Sequence, residues 1–135
     1  MPDAAPLTTG IDHVGLTVPD LDSSAAFFTE ALGWVPIGGD PDYPAVYLSD
    51  GTTKVTLWAA WTDDPHPADR EHSIGLHHLA FRVADRAALD SAFEVVSRHP
   101  GVIVEFAPRL NPPDVGPRSH CIVFEPGGNR IEFVH

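Results

Sequence analysis

The sequence predicts an α+β fold: two tandem βαβββ modules whose strands form a curled, cup-shaped mixed sheet with the helices on its outer face. Three observations lead there. Alternating apolar residues open each half of the chain as a strand. Each opening strand is followed by one helical pattern and three further strands. The two halves also align with one another in that same order. At 135 residues, 43% hydrophobic and 20% charged, the chain has the composition of one globular domain.

Residues 11–18 alternate, placing Val14, Leu16 and Val18 on one side and His13, Gly15 and Thr17 on the other. Pro19 ends this strand. Asp22, Ser23 or Ser24 is expected to cap a helix through Ala25, Phe27, Phe28 and Leu32, stopped by Gly33. Segments 34–37, 45–49 and 53–60 read as strands, with Asp50-Gly51 as a hairpin turn. The first module thus spans 10–61, after a flexible tail at 1–9, and 62–74 is a linker with little apolar periodicity.

The second module, 75–135, repeats the plan. Residues 76–83 alternate, and Asp85 leads into a helix carrying Leu89, Phe93 and Val96 that stops near Pro100-Gly101. Segments 102–106, 119–124 and 130–134 read as strands, with a proline-rich loop at 108–117 and a turn at Pro126-Gly-Gly128. An offset of 65 residues places His13 on His78, Val18 on Val83, Asp20 on Asp85 and Phe28 on Phe93. Near the module ends an offset of 76 places Thr56 opposite Glu132.

Composition removes several function classes. A formal charge of −11, with one lysine and seven arginines, disfavours nucleic acid, whose phosphates need a basic surface. No run of 18 apolar residues exists to span a membrane, and residues 1–6 lack the basic and apolar regions of a secretory signal, so a cytoplasmic location is expected. The lone Cys121 has core parity and is expected to be a buried, inert thiol; alone it forms neither an internal disulfide nor a multi-cysteine zinc site. The motifs HExxH, GxSxG and GxGxxG are absent.

Strand parity gathers the chemistry on one face. His13, Lys54, Thr56, Trp58, His78, Arg82, His120, Ile122, Phe124 and Glu132 lie on the side away from the core, whereas His77 shares the core side with Leu79. Singly, His13, His78 and Glu132 read as surface or satisfied sheet residues. Together, at repeat-related positions on one face, they are two imidazoles and a carboxylate able to hold a divalent ion (zinc, nickel, manganese or iron) with positions left open. Glu132 and His120 are the catalytic candidates, His120 as a general base or else a solvent-exposed histidine at a loop edge. Tyr47, Thr56, Trp58, Ile122 and Phe124 are placed to line a pocket for a small-molecule substrate. Arg82, Arg118 and Lys54 are candidate anchors for an anionic group, unless spent on ion pairs. One helix per four-stranded sheet leaves edges unpaired, so a homodimer is expected, its modules paired within or between chains.

The motifs Gly10-Ile-Asp-His-Val-Gly-Leu-Thr-Val-Pro-Asp20, Gly75-Leu-His-His-Leu-Ala-Phe-Arg-Val83 and Glu125-Pro-Gly-Gly-Asn-Arg-Ile-Glu-Phe133 resemble those of the vicinal oxygen chelate superfamily. This group includes glyoxalases, extradiol dioxygenases, epimerases and bleomycin-binding proteins. The resemblance covers residues 10–135 and implies His13, His78 and Glu132 as metal ligands. It implies a metal-dependent, glyoxalase-like lyase or isomerase acting on a small oxygen-chelating substrate. The alternatives are a non-catalytic drug- or metabolite-binding protein of the bleomycin-resistance type and an extradiol-dioxygenase-like enzyme. Two departures stand out: Thr56 where glyoxalase I has a Glu or Gln ligand, and Ile122 where the dioxygenases carry a tyrosine.

Overall fold

Two four-stranded mixed sheets, each with a helical segment packed on its apolar face, form the architecture. The computed structural model describes residues 4–113 and 116–135. The first sheet contains β1 (Val14–Val18), β2 (Val35–Gly39), β3 (Ala45–Ser49) and β4 (Lys54–Ala59), ordered β1-β4-β3-β2. The second contains β5 (Leu79–Arg82), β6 (Ile103–Leu110), β7 (Ser119–Phe124) and β8 (Arg130–Val134), ordered β5-β8-β7-β6. In each sheet the opening strand pairs parallel with the closing one, and the remaining pairs are antiparallel. Val14 is paired with Val55 and Leu79 with Ile131, so the strand register reproduces both sequence offsets.

Helix α1 (Leu21–Ala26) is capped two residues before the first expected cap. Asp20 is the cap because its extended backbone lets the carboxylate accept from the Asp22 N–H at 3.2 Å, satisfying one orphan donor of the first turn. The helix continues into a wider π-helical turn, Phe27–Ala31, that carries two fully buried phenylalanines. Helix α2 (Arg86–Arg98) is capped by Asp85, as its sequence position suggests, with 2.8 Å to the Ala88 N–H.

Strands β1 and β5 each begin three residues later than expected, and two other boundaries also differ. Trp34 is not in β2 but buried in the core, and β2 runs on to Gly39 as an exposed outer strand. Strand β6 extends to Leu110, through the start of the expected proline-rich loop. An outer strand tolerates Pro108 because its missing N–H costs the ladder nothing on the solvent side, and β6 shifts register twice along β7. Asp114 and Val115 of that loop, and residues 1–3 of the expected tail, lie outside the described residues.

One core joins the two halves. Leu16, Val18, Val55 and Leu57 meet Phe27 and Phe28 beneath the first sheet, while Phe81, Val123, Ile131 and Phe133 meet Leu89 and Val96 beneath the second. The halves touch edge-to-face through Phe28, Trp34 and Phe81, whose ring centroids lie 5.1–6.2 Å apart. Burying each Phe side chain contributes about 2–3 kcal/mol. A buried carboxylate completes the junction. Glu125 is 1% exposed and accepts from Ser24 Oγ (2.6 Å), Gly127 N (2.7 Å), Asn129 N (2.9 Å) and Asn129 Nδ2 (3.0 Å). A buried charge survives when its lone pairs are filled, and here they are. Among the described residues no helix is long and apolar enough to cross a membrane.

Candidate functional site

With the core fixed on the helix side, alternate residues of every strand face the other way. On the second sheet this face carries Glu132, opposite Ala80 on β5 and Ile122 on β7. The Glu132 side chain is only 14% exposed, and each oxygen meets an imidazole: Oε2 lies 3.2 Å from His78 Nε2 and Oε1 lies 3.3 Å from His120 Nδ1. His120 is not an exposed loop-edge residue. It sits within β7 at 16% side-chain exposure, its ring edge-on to Phe106 at 5.0 Å, and the Arg109 guanidinium covers the Phe106 ring at 3.6 Å.

His77 departs from its expected core position. Strand β5 begins only at Leu79, so strict alternation does not reach residue 77, and the side chain is exposed. Its Nδ1 lies 2.8 Å from His78 Nδ1 and 3.4 Å from Arg130 Nη1. Arg130 in turn grips Glu105 with two hydrogen bonds, 2.9 and 2.6 Å, and Arg70 approaches the same carboxylate at 3.4 Å. The Arg130 hydrogen bonds hold the Glu105 carboxyl below its ordinary range, and Glu105 raises the Arg130 pKa correspondingly. This ion pair was not foreseen. Glu105 lies within the first register shift of β6, between Val104 and Phe106, where counting by twos loses the facing side.

The first sheet presents a different group. His13, Ile37, Tyr47, Lys54, Thr56 and Trp58 line a cleft of about 300 Å³. The Trp58 indole N–H donates to Thr56 Oγ1 at 2.8 Å, and Tyr43 and Tyr47 pack against the indole at 5.1 and 5.7 Å. Gly15 permits this: a Cβ there would stand 3.3 Å from Thr56 Oγ1 and 3.5 Å from Trp58 Nε1. His13 Nδ1 is 2.7 Å from Asp12 Oδ1, and that hydrogen bond, with the Lys54 charge behind it, lowers the Asp12 pKa.

The expected residues therefore divide into two groups. Tyr47, Thr56, Trp58, Lys54 and His13 share the first-sheet cleft; His78, His120 and Glu132 share the second-sheet group. The remainder are elsewhere. Ile122 is packed to 4% exposure and lines no open surface. Arg118 spends its Nε–H on the His135 carbonyl at 3.0 Å. Phe124 lines a smaller cleft with Arg70, His77 and Arg130, and Arg82 lies beside Asp12 and Asp50 where β1 and β5 approach. Cys121 is fully buried, and burial pushes its thiol up to about 11, so it is inert as expected.

Among the described residues no three His, Cys, Asp or Glu side chains are grouped to hold a metal ion. His78 and Glu132 come together; His13 does not join them. The reason is topological: His13 precedes β1 and His78 precedes β5, which are edge strands of separate sheets. The donor chemistry suits a divalent ion in kind, with imidazole nitrogen beside both carboxylate oxygens, and falls short in number within one chain.

Residues 10–133 match the family model described as the glyoxalase/bleomycin resistance protein/dioxygenase superfamily. A 2-epi-5-epi-valiolone epimerase from an Actinomyces species is 32% identical over 119 residues, covering 73% of this chain and 63% of that protein. The match thus spans less than two thirds of that relative's length. A glyoxylase/bleomycin resistance protein/dioxygenase domain from Frankia sp. EAN1pec superposes with a TM-score of 0.77 at 24% identity, covering 94% of this chain and 97% of that one. A lactoylglutathione lyase from Agrobacterium tumefaciens gives 0.68 at 22%, covering 96% and 95%. At these identities the superpositions speak for the fold alone.

Proposed function

The chain belongs to the glyoxalase/bleomycin resistance protein/dioxygenase superfamily, and from that premise we propose a metal-dependent lyase or isomerase acting on a small oxygen-chelating substrate. The observation that carries this reading is Glu132, shielded on its sheet with an imidazole at each carboxylate oxygen. Similarity to an epimerase supports the isomerase side of it. His78 and Glu132 would supply two donors. We propose His13 of the partner subunit as the third, in a homodimer whose modules pair between chains. A divalent ion, when bound, supplies Lewis-acid polarisation of a substrate oxygen.

The chain's own groups do the rest. His120 is the base we assign, since its imidazole sits against Glu132 and under Phe106, away from bulk water. His77 orients the His78 ring from its far nitrogen, with Arg130 behind His77, as the outer partners of metal-ligating histidines do. The first-sheet cleft would hold the substrate's body.

The test is metal content of protein purified without chelator, followed by titration with zinc, nickel, manganese and iron(II). Near-stoichiometric binding, lost in His13→Ala and in Glu132→Ala with the fold retained, is expected. Mixing the two variant chains should restore one intact triad per heterodimer, which is half the sites of that species and none of either homodimer's. No restoration places the site within one chain. No binding by the wild type with any of these ions ends the enzymatic reading in favour of a sequestering protein.

A further inference from the structure

The first-sheet cleft has features that say which chemistry it selects. Lys54 is the only lysine of a chain whose formal charge is −11, and it lines this cleft. Among the described residues it takes part in none of the ion pairs. The acid whose pKa it lowers, Asp12, is bound to His13 at 2.7 Å instead. Beside this ammonium stands an apolar wall of Ile37, Tyr47 and Trp58. The one polar atom of Trp58 is spent on Thr56, so its ring offers only flat apolar contact. Gly38 makes room for Tyr47, since a Cβ there would lie 3.3 Å from Tyr47 Cδ2.

We propose that this cleft binds a small molecule carrying one carboxylate, held by Lys54, on a flat apolar body held against Trp58 and Tyr47. Charge decides between anions. One ammonium balances a monocarboxylate, whereas a phosphate dianion would leave uncompensated charge on an already acidic surface. The proposal deepens the function proposed above and rests on its placing the substrate's body on the first sheet.

The experiment uses the 135-residue chain stripped of metal, titrated with benzoate and, separately, with benzamide, its neutral counterpart of the same shape. The readout is the Trp58 indole N–H resonance, identified by its loss in Trp58→Phe. Benzoate shifts this resonance saturably, and benzamide binds at least about tenfold more weakly, the scale of one charge-assisted hydrogen bond. Lys54→Met removes the preference for benzoate, and Lys54→Arg keeps it. Lys54 is exposed at the start of β4, so both variants are expected to fold, checked by an otherwise unchanged amide spectrum. Equal affinity for the two probes, a preference that survives in Lys54→Met, or no saturable shift with benzoate each overturns the proposal. Because metal is absent throughout, failure here is distinct from failure of the metal titration.

Discussion

At the scale of single residues, the Arg130–Glu105 pair sets a pH dependence whose sign follows from geometry. The Arg130 side chain is 13% exposed and holds Glu105 at 2.6 Å, which lowers the carboxyl pKa beneath its ordinary 4.5. A depressed carboxylate contributes stability that is fully present above its unfolded value and is lost as pH falls through its folded one. Stability should therefore be flat between pH 5 and 7 on this account and decline below about pH 4.5. Denaturant titrations of wild type and Arg130→Met should converge as pH is lowered through that window; a constant difference down to the acid limit would refute the linkage. Parity puts Arg130 on the same face as Glu132, but Glu105, within a register shift, was not marked by its sequence pattern. Glu132, by contrast, was legible from strand parity alone, because β8 pairs without a bulge and counting by twos holds from Arg130 to Val134.

Elements carry the next level of the argument. The modular order of strands and helices was readable because each strand alternates and each helix ends near a glycine or proline. The caps and ends were less so: Asp20 competes with three nearby polar residues, and only the backbone angle identifies it. His77 and His78 show where parity stops, since a period of two says nothing about residues before the first paired one. The π-helical turn is the element on which the two halves of the core converge. Phe28→Ala there should cost about 3–5 kcal/mol, because its ring fills space shared with Trp34 and Phe81 as well as its own sheet. Thr29→Ala, on the same turn but half-buried, should cost well under half as much. Comparable midpoints for the two variants in urea would show that the junction is not packed as described.

For the molecule as a whole, four strand edges remain open among the described residues: β1 and β2 in one sheet, β5 and β6 in the other. The outer ones expose Val35, Ile37, Ile103 and Val104 at 40–66%. Such edges invite pairing with a second copy. Light scattering across a dilution series should find a dimer, and a monomer at micromolar concentration would remove that arrangement and the shared metal site with it. The Ser24–Glu125 contact spans 101 residues of sequence, whereas the strand pairs of each sheet stay within their own half. In kinetic terms, each half has its pairing partners nearby and can organise early, while the clasp must wait until both exist. Gly127 tests this order, because a Cβ there would lie 2.8 Å from both Ser24 Oγ and Glu125 Oε2. Gly127→Ala should speed unfolding and leave the refolding rate nearly unchanged, so the two limbs of its chevron would shift unequally. The carboxylate that locks the halves together is then a brake on unfolding, set only after the fold has been found.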